Sequence, residues 1–264
     1  MVVGIPHGGM HHPLVQTSKP RQLVGSPGGG LVGVIDSKTI RIIATASQPH
    51  PTTSSLSHSH PLRALAFNSA ETQVAAGDDR GQISVWHNAV GKSSGTVSVT
   101  AQAVTKLHWH AHAVGGITFS SDGAYLYSVG REAVLVLWQL ETGARNFLPR
   151  LGGPLTGIRA SPYPSVLAVQ SSDNAIRLLN VATMAVERSI EGMRPRVDLS
   201  APPVRARLEG VLPVPAVLDP KEGCLVVPTR TAGLHFFSLP LNRHVAHLMV
   251  RSLNRIRVRR VREG

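Results

Sequence analysis

Cysteine is almost absent from this chain of 264 residues, where Cys224 stands alone. One thiol forms no internal disulfide and no cysteine-rich zinc site, which fits a reducing compartment. Aromatic residues are scarce at 4%, and acidic residues number 15 against 27 lysines and arginines. No stretch reaches the roughly 20 apolar residues that cross a bilayer, and the N-terminus lacks a cationic segment followed by an apolar one. Neither secretion nor a membrane is expected, and the reading is of a soluble intracellular protein. Catalytic signatures are missing too. Gly28-Gly29-Gly30 is followed by neither Lys-Ser nor Lys-Thr and leads into a hairpin pattern, so the phosphate-loop geometries fail and a linker is expected there. No GxSxG elbow presents a nucleophile, and no enzyme is expected.

What the chain does hold is 42% hydrophobic residues together with 25 glycines and 19 prolines, a balance that favours many short strands and turns over long helices. Four times an apolar residue is followed 19 positions later by a bulky one closing a second apolar run: Phe67 to Trp86, Phe119 to Trp138, Ala160 to Leu179 and Leu218 to Phe237. Successive units start 52, 41 and 58 residues apart, so insertions fall between units. Runs such as Leu135-Val136-Leu137-Trp138 are apolar on both faces, as a strand sandwiched between two sheets requires. Four-stranded sheets of about 40 to 45 residues stacked around an axis are propeller blades.

The expected organisation has three parts. Residues 1–30, rich in Gly, Pro and His, are expected to stay unordered. Residues 31–250 hold the partial propeller, opened by a hairpin around Asp36-Ser37 and interrupted by an insertion at about 191–207. Thr96 to Thr105 and Ala144 to Leu148 are candidate fourth strands. A basic tail, 251–264, completes the chain. There Arg251, Arg255, Arg257, Arg259, Arg260 and Arg262 against Glu263 supply +5 of the formal +12 charge. The tail reads as an amphipathic helix, an RNA-contacting arm or a non-native end.

The units resemble WD repeats. In that family a histidine stands nine residues before the first-strand aromatic, and His58 and His110 stand so before Phe67 and Phe119. A turn aspartate lies six residues before the closing Trp, and Asp173 holds that place before Leu179. The resemblance implies a buried network that joins such His and Asp side chains to the indole. It gives structural roles to His58, Trp86, His110, Trp138 and Asp173. At the aspartate position the other units carry Arg80, Glu132 and Thr231, so no unit is expected to keep the whole network, and apolar packing is expected to hold the blades. The implied fold is an all-β WD-repeat β-propeller, incomplete, with about four to five blades. A closed ring of this kind needs more, so a fragment or truncated product with exposed blade faces is expected.

Further stretches narrow the resemblance: His108-Trp109-His110, Gly130 to Trp138, Phe147 to Gly152, Ser172-Asp173-Asn174 and Leu234 to Leu239. They are similar to the WD-repeat proteins of the small-subunit processome, most strongly from His108 to Asn180. That likeness implies a non-enzymatic scaffold in the nucleus and nucleolus. Its partners would be other processome proteins, U3 small nucleolar RNA and pre-ribosomal RNA, in the service of ribosomal RNA processing and transcription. Candidate phosphate contacts are Arg131, Arg150, Arg194, Arg196, Arg205, Arg207, Arg257, Arg259 and Arg260, since an arginine-rich surface binds RNA backbone by releasing counterions. A generic WD-repeat adaptor in a ubiquitin ligase or chromatin complex is the alternative. His58 with His60, and His108 with His110 and His112, have the alternation of a metal site. No HExxH helix or nearby carboxylate set joins them, so no metal and no cofactor is expected.

Overall fold

A computed structural model gives the architecture. It describes residues 20–45, 53–87, 104–149, 151–161, 165–172 and 175–190 with their side chains. Elsewhere it describes the backbone of strands at 2–7, 10–16, 91–93, 96–98, 217–218, 224–229, 233–238, 243–252 and 255–260. Every regular element among these residues is a strand, and no helix there is long and apolar enough to cross a membrane. The chain divides into two units, 1–151 and 152–264.

In the first unit β1 (Val2–His7) and β2 (Met10–Gln16) pair as a hairpin. The first four-stranded sheet runs β3 (Pro20–Gly25), β4 (Leu31–Asp36), β5 (Thr39–Ala44) and β6 (Thr53–Ser57). β3 lies within the segment expected to stay unordered. Its turn to β4 is the Gly-rich stretch read as a linker, and that turn is tied down by Glu71, a buried side chain from the next sheet. Glu71 Oε1 accepts the Ser26 hydroxyl at 2.6 Å and the Gly30 N–H at 2.9 Å. A Cβ at Gly28 or Gly30 would meet the Glu71 side chain, so the glycines leave room for this buried carboxyl group.

The second sheet holds β7 (Leu62–Phe67), β8 (Val74–Asp78), β9 (Gln82–His87) and β12 (Ala103–His108). The fourth strand therefore starts later than the Thr96 expected from the pattern. Between β9 and β12 a small hairpin, β10 (Gly91–Ser93) with β11 (Thr96–Ser98), takes up the earlier residues. The third sheet holds β13 (Val114–Phe119), β14 (Tyr125–Gly130), β15 (Leu135–Gln139) and β16 (Arg145–Leu148).

Strand registers explain the 19-residue rhythm. Phe67 lies opposite Val74, which lies opposite Trp86, and Phe119, Leu126 and Trp138 form the same line across the third sheet. Each repeat is thus one ladder of cross-strand neighbours. Alternate residues of one strand feed two different cores. Leu65, Phe67 and Trp86 pack with Ile35, Ile40 and Ile42 of the first sheet. Ala64, Ala66 and Val85 pack with Ile117, Phe119 and Trp138 of the third. This two-sided burial is what the doubly apolar runs demand. Gly81, at φ 83°, turns β8 into β9 where a Cβ would overlap the His110 carbonyl, so this contact between sheets needs glycine.

The second unit repeats the arrangement. β17 (Leu155–Ala160), β18 (Val166–Ser171), β19 (Ile176–Asn180) and β20 (Ala185–Ile190) form one sheet, with Ala160, Leu167 and Leu179 in line. A five-stranded sheet follows: β21 (Val217–Leu218), β22 (Cys224–Thr229), β23 (Gly233–Ser238), β24 (Arg243–Ser252) and β25 (Arg255–Arg260). Leu218, Leu225 and Phe237 form its ladder. The basic tail contributes β25 rather than a helix, pairing with β24 through Val258 opposite Leu248. The insertion expected at 191–207 lies outside the described residues. The fold is an incomplete β-propeller.

Candidate functional site

Two polar knots sit on the edges of the first unit's sheets. In the third sheet His110 lies in the link before β13, fully buried, with Nε2 2.9 Å from Ser128 Oγ and Nδ1 3.2 Å from Glu132 Oε2. The Trp138 indole N–H donates to the same Ser128 oxygen at 2.9 Å. One proton order satisfies every group: indole N–H to Ser128 oxygen, Ser128 hydroxyl to His110 Nε2, and His110 Nδ1–H to the Glu132 carboxylate. Glu132 Oε1 also accepts the His112 N–H at 2.7 Å. Glutamate thus fills the role expected of aspartate, and this unit carries a complete four-residue network, against the expectation that none would. One extra methylene lets the carboxylate reach both the ring and the backbone of the link.

Burial holds His110 below the ordinary imidazole value, and the Glu132 contact only partly opposes it. The ring is neutral at pH 7, so its contact with Glu132 is a hydrogen bond to a carboxylate. For Glu132 itself burial pushes upward, but its own N–H, that of His112 and the His110 ring outweigh burial and hold it below the usual carboxylate value.

In the second sheet His58 occupies the matching place in the link between β6 and β7. Its Nε2 meets Ser84 Oγ at 3.2 Å and its ring stands edge-on to Trp86 with centroids 6.3 Å apart. Ala76 stands opposite Ser84, at the register where the third sheet has Ser128, so no hydroxyl lies there to link histidine and indole. Asp173 lies outside the described residues. Sequence reasoning missed Ser128, although the one serine within the apolar and aromatic strand Tyr125–Gly130 marks a buried polar partner.

An aromatic and basic surface lies beside the His110 knot. Trp109 and Phe147 pack with centroids 4.9 Å apart, and Phe147 remains 38% exposed. Lys106 and His108 are exposed on β12, Arg145 on β16, and Arg131 in the turn that carries Glu132. Arg150, Arg194, Arg196, Arg205 and Arg207 lie outside the described residues. Arg257, Arg259 and Arg260 lie on β25 opposite Met249, His247 and Ala246. Ser128, His110 and Glu132 have the residue types of a catalytic relay, but Ser128 and His110 are both fully buried and the Ser128 oxygen is taken by the Trp138 indole, so the set serves the fold. The expected alternation of three histidines along one strand is absent, since β12 ends at His108 while His110 and His112 belong to the link.

The solved structure described as RRP9 WD40 repeats superposes with a TM-score of 0.67 over 89% of this chain and 65% of that one, at 13% identity, which shows the shared fold. Residues 54–174 match the family described as the first β-propeller of WD repeat-containing protein 75. The chain has the fold of a WD-repeat β-propeller. Xenopus laevis WD repeat-containing protein 75 is 30% identical over 186 residues, covering 70% of this chain and 20% of that protein. U3 small nucleolar RNA-associated protein 17 of Schizosaccharomyces pombe is 39% identical over 87 residues, covering 33% of this chain and 11% of its own length. The chain therefore spans a fifth or less of the length of these relatives.

Proposed function

We propose that this WD-repeat chain acts as a non-enzymatic scaffold in ribosome biogenesis. In this reading it works in the nucleus, at the nucleolus, within the small-subunit processome. The observation that carries this is the match of residues 54–174 to the first propeller of WD repeat-containing protein 75, joined by a relative named for its association with U3 small nucleolar RNA. Blades with satisfied polar knots are rigid platforms, and specificity then rests on their rims and links. Processome proteins are the direct partners. The formal +12 charge and the exposed Lys106, Arg131 and Arg145 support contact with the phosphates of U3 RNA and pre-ribosomal RNA. Arg150, Arg194, Arg196, Arg205, Arg207, Arg257, Arg259 and Arg260 belong to the same proposed set.

Affinity capture of the tagged chain from its own cells tests this reading. U3 RNA, pre-ribosomal RNA and processome proteins are expected together, and ribonuclease treatment separates protein-held from RNA-held partners. Recovery of an unrelated complex without either RNA would overturn it. A second reading, an adaptor for proteins alone in a ubiquitin ligase or chromatin complex, draws on exposed apolar rim residues such as Leu23, Val104, Phe147 and Val186. It predicts that recovery of partners is indifferent to salt and to ribonuclease.

A further inference from the structure

In the link between β6 and β7, two imidazoles meet a buried carboxylate. One ligand atom from each of His58, His60 and Asp78 lies within 4.8 Å of the others. Sequence reasoning set metal aside because no carboxylate stood near the histidines. The β7–β8 pairing supplies one by placing Asp78 opposite Leu62, directly after the link.

The carboxylate's surroundings are unusual. Asp78 is 1% exposed, and its Oδ1 accepts the N–H groups of Arg80 and Gln82 at 3.0 and 2.8 Å. Among the described residues no side-chain cation bonds to it, and Arg80 is turned out to solvent. Next to it Asp79, whose N–H donates to the Pro61 carbonyl at 3.0 Å, has a buried Oδ1 with no hydrogen-bond partner. Buried carboxylates are stable when paired or bound to metal. The histidines are already oriented. His58 is anchored on its Nδ1 side, which lies 3.1 Å from the His60 carbonyl and 3.2 Å from the His60 N–H, while its Nε2 faces the Ser84 hydroxyl at 3.2 Å, a contact a metal ion would replace. His60 Nδ1 is held by the Ser59 hydroxyl at 2.9 Å, leaving its own Nε2 available.

The third sheet shows the contrast. His110 and His112 have the same spacing, but Glu132 binds that link directly, and Gly130 stands opposite Val114 at the end of β14. That link is closed by a carboxylate of its own, whereas the second sheet has Arg80 in place of Glu132 and a buried acid instead.

We propose that His58, His60 and Asp78 bind a zinc ion, with water in the fourth position. Two imidazoles and a carboxylate are zinc's donor types. The ion clips the link between the first two sheets to the end of β8, and its formation needs a small side-chain closure from the present separations. This inference is independent of the proposed function.

The test uses the full chain, stripped with a chelator and titrated with cobalt(II) and then zinc. One equivalent is expected to bind with the visible bands of a tetrahedral site, bleach on adding zinc, shift the imidazole resonances of His60 and raise the melting temperature. His60→Gln and Asp78→Asn are expected to weaken binding at least tenfold, while His112→Gln, at the same spacing in the third sheet, leaves it unchanged. Should Asp78→Asn fail to fold, His60→Gln and the His60 resonances decide. Absence of stoichiometric binding, or binding undiminished in His60→Gln, as at His11 and His12, overturns the proposal.

Discussion

The second and third sheets set a histidine at the same point before the same apolar ladder, yet His110 is fully enclosed while His58 is half-buried. The third sheet closes its histidine between Glu132 and Ser128 and reaches the Trp138 indole. The second sheet has Arg80 and Ala76 at those positions and turns His58 to Ser84. The apolar frame is therefore common to both, and the polar knot is an addition that one sheet completes and the other diverts. A repeat of this kind keeps its shape while its polar corner varies.

The largest effects test the common frame. Phe67 and Phe119 are each 4% exposed at the same rung of their ladders. Truncation of either to alanine is expected to cost about 3–5 kcal/mol, equal within the scatter of such measurements. Chemical denaturation followed by tryptophan fluorescence reads both. A difference above about 2 kcal/mol would show that the frames are not equivalent.

Next comes the knot itself. Ser128→Ala strips a partner from both the His110 Nε2 and the Trp138 N–H in a buried site, for an expected loss of about 2–4 kcal/mol. Ser84→Ala removes one hydrogen bond from a half-buried ring and is expected to cost about 1 kcal/mol or less. Equal losses would sink the distinction between a closed and a diverted knot.

A pH series separates the sheets further. With His110 held below its ordinary 6.5, the unfolded chain takes up the proton first. The stability from the neutral ring is complete above about pH 6.5 and is lost as pH falls below that, until the folded group itself titrates. Glu132, held below 4.5, adds a loss in the same direction at lower pH. Each proton steepens the decline by up to about 1.4 kcal/mol per pH unit. Urea midpoints between pH 7.5 and 4 are expected to fall, and to fall less below pH 5 in Glu132→Gln. A flat profile down to pH 5 would mean that His110 is not buried neutral.

The ladders were legible in the sequence because a register is a spacing, and Phe119, Leu126 and Trp138 announce it through volume and apolarity alone. The turn around Asp36-Ser37 was legible for the same local reason, with φ 57° at Ser37. Partnerships between elements were not. That Glu71 would hold the Gly-rich turn, that Glu132 would stand in for aspartate, and that Asp78 would lie near His58 all depend on which turns, links and strands meet once the chain has folded. Composition also misled at Pro20–Gly25, where pairing with β4 overrides the Gly and Pro content that argued for disorder.

The smallest expected effect is the sharpest. Ala76→Ser would give the second sheet the hydroxyl that the third sheet has at Ser128, at a residue now 0% exposed. A hydroxyl buried without partners costs about 1–3 kcal/mol, whereas one that meets both the His58 ring and the Trp86 indole recovers that cost and adds about 0.5–1 kcal/mol. His58 already lies edge-on to Trp86, so the two groups that would flank a new hydroxyl are in place. A stability change between no effect and a gain of about 1 kcal/mol is therefore expected, with the indole fluorescence of Trp86 altered. A loss of 1 kcal/mol or more would instead show that His58 is committed elsewhere, to Ser84 or to the metal ligand set, and that the two knots differ in purpose as well as in completeness.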